Sequence, residues 1–256
     1  MEKLTIIKVG GKIVEEANSL EKILKDFSEI KGHKIIVHGG GRSATQLAEK
    51  LGVETHMVNG RRITDKETLD ITVMVYAGLI NKKIVAKLQE NKINALGLTG
   101  ADMNIIRSDK RPVQDIDYGF VGDVKEVNAD ILASLIKQGI VPVLAPLTHD
   151  GKGNMLNTNA DTIAGETAKA LSKFFEVTLT YCFEKKGVMT DINDENSVIR
   201  NLNKATFTDL VKQGIINEGM IPKLENAFDC IKTGVKNVII TQSTDIKGEF
   251  GTVVNA

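Results

Sequence analysis

The sequence predicts an α/β fold built on a mainly parallel sheet, and three observations carry the prediction. Short apolar runs, several ending in glycine, alternate with longer segments whose apolar residues recur at helical spacing. The strand–helix–strand–helix order at the start of the chain requires parallel neighbours, because each return passes through a helix. At 256 residues, 42% hydrophobic and 26% charged, the chain can bury the core of one large domain or of two lobes sharing a sheet.

LTIIKVGG (4–11) reads as a buried strand ending at Gly10 and Gly11, and VEEANSLEKILKDFSEIKG as the helix that follows, closed by Gly32. KIIVHGGG (34–41) is the next strand. It stops in three glycines before SATQLAEKLG, a helix with a Ser43/Gln46 capping box and a terminal Gly52. From Thr64 a second capping box, to Glu67, opens a long helix running to about residue 90; its apolar residues from Leu69 to Ile80 cover more of the circumference than one core contact needs. A second subunit is the expected partner for that face. NALGLTG (94–100) is a strand, and 105–128, broken by Pro112, Gly119 and Gly122, reads as antiparallel hairpins over one edge of the sheet. Asn128 caps the helix ADILASLIKQG, IVPVLAP (140–146) is a strand, and LNTNAD runs as a polar loop into the helix with Asp161 at its start. The strand VTLTYCF, the helices ATFTDLVKQG and LENAFDCIKTG, and the strands VKNVIIT and GTVV complete the chain, with the softest boundary near 172–176.

Lysine plus arginine equals aspartate plus glutamate at 33 each, so nothing overall draws nucleic acid or an anionic membrane. No apolar run approaches the roughly 20 residues of a membrane span, and the opening residues lack the apolar core of a secretion signal, so a cytoplasmic protein is expected. Cys182 and Cys230 read as small buried hydrophobes, no histidine has metal-ligand spacing, and His33, His56 and His149 read as exposed. P-loop, nucleophile-elbow and zinc-helix motifs are absent.

The glycine loop 39–41, fed by a strand and followed by a helix, presents backbone N–H groups and a helix-dipole end suited to an anion. GGGRSA also fits a dinucleotide fingerprint by letter, but no acidic residue closes a second strand about twenty residues on. Lys8, two residues before Gly10, sits at the carboxyl edge of the sheet where α/β sites form, although alone it is also an ordinary solvated strand-end charge. Asp161 and the asparagines before it read either as helix-cap and turn residues or as site residues. Lys223 begins a helix where the dipole disfavours a cation, which asks for an anionic partner or for solvent, and Arg62 could clamp a carboxylate or lie on the surface.

Taken in order, IIKVGGK, IIVHGGG, VNGRRIT, DYGFVGDV, VPVLAPL, LNTNADTIA and INEGMIPKLENA resemble the motifs of the acetylglutamate kinases of the amino-acid kinase superfamily, over nearly the whole chain. The resemblance implies a three-layer αβα sandwich around a mainly parallel twisted sheet, with β-hairpins over the acceptor site. It implies an N-terminal lobe (1–173) for the acyl-amino acid and dimerisation and a C-terminal lobe (174–256) for nucleotide. The implied reaction moves the γ-phosphoryl of ATP, with Mg2+ bound to the nucleotide, onto the side-chain carboxylate of an N-acylglutamate in arginine biosynthesis. Such a nucleophile is already ionised and needs no general base, consistent with the lack of a histidine–nucleophile pair.

By the same resemblance, Lys8 draws the transferring group forward, Lys223 stabilises the leaving diphosphate, and Asp161 holds both ammonium groups. Gly11, Gly40 and Gly41 line the transfer path; Arg62, Asn157 and Asn159 bind the acyl-amino acid. Gly10, Glu184, Lys185, Gly187, Met189, Ile215 and Asn217 contact nucleotide. The chain departs from the family's L-[TS]-D-V-x-G where it reads TYCFEKKG, so Glu184 stands where the aspartate is usual. With seven residues before Lys8, it lacks the N-terminal helix of arginine-inhibited relatives, and an arginine-insensitive homodimer joined through the helix near 65–90 is expected. A kinase for another acyl group such as succinyl, a non-catalytic amino-acid sensor and a dinucleotide enzyme remain the alternatives.

Overall fold

The apolar runs form one eight-stranded sheet in the order Asn201–Leu202, Thr252–Val254, Asn237–Gln242, Glu176–Phe183, Lys3–Val9, His33–His38, Val141–Leu144, Ala95–Leu98. A computed structural model describes residues 1–58, 60–191, 193–216 and 220–255 of the chain. Every neighbouring pair is parallel except Asn237–Gln242 with Thr252–Val254. Glu176–Phe183 pairs with Lys3–Val9 along its length, so both halves of the chain hang on one sheet.

Side-chain alternation along the strands creates the three layers. Leu4 and Ile6 face the helices Ala160–Leu171 and Ile221–Lys232 and pack with Ile163, Ala164, Ala168 and Leu224. Ile7 and Val9 face the other way, toward Leu20, Ile23, Leu24 and Phe27 of Ala17–Glu29 and toward Ile84 and Leu88 of Asn81–Glu90. Lys8 shares the parity of Leu4 and Ile6 and therefore emerges under the first turn of Ala160–Leu171. Lys34, buried in the next strand, closes the end of Ala17–Glu29 by donating to the carbonyls of Phe27, Ser28 and Ile30 at 3.1, 2.8 and 2.9 Å.

Both expected capping boxes give way to other contacts. The long helix starts at Lys66, one residue later than a Thr64 cap requires; Asp65 caps it, accepting from the Thr68 amide at 2.8 Å. Thr64 is instead fully buried, its hydroxyl donating to the Arg62 carbonyl at 3.0 Å. The helix Gly41–Lys50 leaves directly from the glycine loop, so Ser43 is already inside it; the Ser43 amide and hydroxyl donate to Glu15 Oε1 at 2.7 and 3.1 Å. The long helix is α-helical over Lys66–Val73 and Asn81–Glu90 but widens to a π-helix over Met74–Ile80.

A four-stranded sheet of Met155–Asn157, Leu147–His149, Ile106–Lys110 and Gly122–Val127 stands beside the main one, its last two strands forming the expected antiparallel pair with a bulge at Arg107/Ser108. It is tied to the start of the long helix by Thr64 N–H to Tyr118 O (3.0 Å) and Phe120 N–H to Thr64 O (2.7 Å). Asn128 caps Ala129–Lys137 as expected. Both cysteines are buried and unbridged, and burial pushes each thiol up to about 12. His56 is exposed, whereas His33 and His149 are half-buried, His33 against the Phe175 ring and His149 bonded to Asn104 Oδ1 at 2.8 Å, contrary to the expectation that all three lie in solvent. Among the described residues no helix is long and apolar enough to cross a membrane.

Candidate active site

Three strand ends converge where glycine lets backbones touch. Gly39 donates to Val9 O at 3.0 Å and Gly10 to Cys182 O at 3.3 Å, which ties the loops after Lys3–Val9, His33–His38 and Glu176–Phe183 together. Gly40 has no room for a side chain: a Cβ there would run into Ile80 Cδ1 and lie 3.0 Å from the Tyr76 ring. The π-helical turn therefore forms the floor under the loop. His38, wholly buried just before it, bonds to the Gly39 carbonyl (2.8 Å) and to Asn81 Nδ2 (3.2 Å), and burial pushes its pKa down to about 4, so the ring is neutral.

Asp161 is the hinge of the site's charge. Its Oδ1 lies 2.7 Å from Lys8 Nζ and its Oδ2 3.5 Å from Lys223 Nζ, with the three side chains 16, 8 and 35% exposed respectively. Burial alone would raise the Asp161 pKa, but the Lys8 and Lys223 ammonium groups outweigh it and hold the carboxyl below the usual carboxylate range. The cap of this helix is Asn159, whose Oδ1 accepts from the Asp161 and Thr162 amides at 2.8 and 3.2 Å, which frees the Asp161 side chain for the lysines. Lys223 lies in the first turn of Ile221–Lys232 and the Asp161 carboxylate faces it, so the cation disfavoured by the helix end has an anionic partner.

Two cavities meet here. One of about 210 Å³ is lined by Gly11, Gly40, Gly41, Arg62, Asn157 and Asn159 together with Tyr76 and Pro146. Arg62 Nη2 donates to Gly41 O and Thr45 Oγ1, both at 2.8 Å, while Nη1 is buried with no partner. An orphaned guanidinium nitrogen in a pocket leaves a site for a carboxylate oxygen. Asn157 is held by its Nδ2 donating to Thr64 Oγ1 at 3.0 Å. The other cavity, about 330 Å³, is lined by Lys8, Gly10, Lys12, Phe183, Glu184 and Lys223, and it shares Gly11 and Gly41 with the first. Glu184 pairs with Lys12 at 3.1 Å across its mouth.

Of the other expected nucleotide contacts, Lys185, Gly187, Met189 and Ile215 do not line these two cavities. Gly187 is buried, its Cα facing Thr252 Oγ1 and Val198 so closely that a Cβ would clash. Met189 bridges to Val198, and Ile215 closes the helix Lys204–Lys212 through its amide to Leu210 O. Lys185 follows Glu184 in the same exposed turn, and Asn217 lies outside the described residues. Phe183, Tyr181 and Asn226 escaped the sequence reading. Lys8 pairs with Tyr181 in the parallel register, so alternation on Glu176–Phe183 places both Tyr181 and Phe183 on the Lys8 face.

A carboxylate clamping two lysines of one cavity, which shares its glycine wall with an arginine-lined pocket, suits charge neutralisation during transfer between two anions. Comparison with known proteins points the same way. The family model described as "Amino acid kinase family" matches residues 3–242. An acetylglutamate kinase of Parabacteroides distasonis is 68% identical over 254 residues, 99% of this chain and 100% of that protein. One of Phocaeicola vulgatus is 67% identical over 253 residues, covering 99% of this chain and 98% of its own. The crystal structure of smu.665 from Streptococcus mutans superposes with a TM-score of 0.82 at 27% identity, covering 99% of this chain and 98% of that one. The chain belongs to the amino acid kinase family, on its acetylglutamate kinase branch.

Proposed function

We propose that this protein transfers the γ-phosphoryl group of ATP to the side-chain carboxylate of N-acetyl-L-glutamate, forming an acyl phosphate and ADP in arginine biosynthesis. The carrying observation is Asp161 clamping Lys8 and Lys223, two lysines that line the cavity sharing Gly11 and Gly41 with the Arg62 pocket. The acyl-amino acid occupies the smaller cavity, its α-carboxylate on the free Arg62 Nη1 and its acylamino group on Asn157, with Asn159 in support. The side-chain carboxylate then faces Gly11, Gly40 and Gly41. A carboxylate oxygen attacks the γ-phosphorus, the bond to the β–γ bridging oxygen breaks, and that oxygen keeps the electron pair as ADP leaves; no proton moves.

Lys8, nearly buried, meets the charge on the transferring group, and Lys223, more exposed, meets the charge growing on the leaving diphosphate. Nucleotide enters from the side of Glu184, in the lobe of residues 174–256, against Lys12 of the lobe 1–173 that holds the acceptor. Mg2+ arrives chelated by the phosphates, where it would neutralise their charge; among the described residues no group of three His, Cys, Asp or Glu side chains gathers to hold a metal ion alone.

A cytoplasmic homodimer fits this reading. Met74 and Leu79 are 52 and 62% exposed on the turn whose opposite side supports Gly40, and a second copy would cover them. Small-angle scattering should give the mass of a dimer, and of a monomer for Leu79→Asp; a monomeric unmodified protein would remove the assembly.

Hydroxylamine trapping of the acyl phosphate, with N-acetyl- and N-succinylglutamate side by side, tests the reaction. Hydroxamate and stoichiometric ADP from the acetyl substrate are expected; no hydroxamate from either ends the proposal, and strong preference for succinyl reassigns the acyl group. Lys8→Ala and Lys223→Ala should each lower kcat far more than they raise KM.

A further inference from the structure

The mechanism leaves one wall of the lysine pair unexplained. Lys8 Nζ stands 5.1 Å and Lys223 Nζ 4.1 Å from the centroid of the Phe183 ring, so both cations that grip Asp161 also face one aromatic side chain. That ring is anchored from behind. It lies parallel to the Tyr181 ring, with centroids 6.1 Å apart and planes at 7°, and Tyr181 Oη donates to the Asp161 carbonyl at 3.3 Å. Asn226 Nδ2 reaches the same carbonyl and Tyr181 Oη, each at 3.3 Å. Ring, stack and helix start thus form one unit around the carboxylate.

Charge explains the need for such a wall. Two ammonium groups share a single carboxylate, so one positive charge is left over before any phosphate arrives, and the lysines repel each other. Lys8 is confined by burial, but Lys223 is about a third exposed and water competes for it. The negative face of an aromatic ring attracts both cations without giving them a hydrogen-bond acceptor to surrender later. A second carboxylate could hold them equally well, but would repel the incoming phosphates; the ring cannot.

We propose that Phe183 is a positioning residue for phosphoryl transfer, holding Lys8 and above all Lys223 in place through its ring face. This role rests on the phosphoryl-transfer reading of the site, and the test separates the two. Phe183→Leu keeps apolar bulk and removes the π-face; Phe183→Tyr keeps the face. The Leu variant should turn over about tenfold more slowly, with KM for the acyl-amino acid within about twofold and the urea midpoint lowered by no more than about 0.5 M, while the Tyr variant stays near the unmodified enzyme. In a Lys223→Ala background the same Leu substitution should cost about twofold or less, because the residue it acts through is gone.

Equal kcat in the Leu variant and the unmodified enzyme, an equal loss in the Tyr and Leu variants, or a full tenfold loss in the Lys223→Ala background would each overturn the role. If the unmodified protein makes no acyl phosphate, the transfer reading fails. The ε-methylene proton resonances of Lys8 and Lys223 still decide the contact: upfield ring-current shifts in unmodified and Tyr protein that vanish with Leu uphold it, and unshifted resonances in the unmodified protein overturn it.

Discussion

Replacing Asp161 with asparagine tests the charge clamp most directly, because it preserves shape and removes one negative charge. At 2.7 and 3.5 Å, with an effective dielectric constant of about 20, the two attractions amount to about 6 and about 5 kcal/mol before desolvation is subtracted. Removing one partner of a buried ion pair typically costs about 3–5 kcal/mol. Lys223 can relax into water, which places the expected loss near the lower end, about 3 kcal/mol. With a urea slope of about 3 kcal/mol/M, the midpoint should fall by about 1 M. Two lysines released by even an ångström should lower kcat by about 100-fold. The Asp161 pKa is depressed in the folded protein, so its stabilisation is complete above the unfolded value of about 3.9 and is lost as pH falls below it. The gap between unmodified and Asp161→Asn protein should therefore be constant above pH of about 5 and close below about 4. A variant within 1 kcal/mol and threefold in kcat of the unmodified enzyme at neutral pH would refute the clamp.

Three further outcomes are expected. The unfolded chain protonates His38 near pH 6.5 but the folded protein only near 4, so stability should fall by about 3 kcal/mol as pH drops between those values, and His38→Asn should show a shallower fall in urea midpoints over that window. Gly40→Ala meets Ile80 and Tyr76 and should cost about 1–3 kcal/mol in denaturant unfolding while depressing activity; unchanged stability would show that the floor yields. Arg62→Lys has a single nitrogen, which cannot stay on Gly41 and Thr45 and also stand where Nη1 meets the ligand carboxylate, so KM for the acyl-amino acid should rise about tenfold with KM for ATP within twofold.

The parallel sheet was legible because its strands are uninterrupted apolar runs whose glycine ends fall at the carboxyl edge. Lys8 was locatable for the same reason, but its meeting with Asp161 and Lys223 follows from strand parity and from a helix start that no local rule specifies. The misplaced caps show how far local chemistry reaches. LNTNAD offers several capping residues in succession, and only the tertiary position of Ala160 decides that Asn159 caps and Asp161 is free. Thr64 and Asp65 pose the same choice, settled by the burial of Thr64 beneath the second sheet. Phe183 stood in the stretch that departs from the family pattern, yet its neighbouring Glu184 drew the attention because charge is easier to read than an aromatic face.

The wide turn at Met74–Ile80 has a consequence for how this protein can change. Its i→i+5 turn holds about one residue more than the α-helical turns on either side, so the surplus is absorbed locally. Trimming one residue from it would return the segment to α-helical spacing, whereas trimming one from Lys66–Val73 would turn everything before the cut by about 100° relative to everything after. In that second case Asp65, Thr64 and Arg62 would swing away from the second sheet while Asn81 and Ile84 stayed in place. Single-residue deletions should therefore be tolerated better within Met74–Ile80 than in the α-helical stretch before it, because the wide turn already holds a residue to spare.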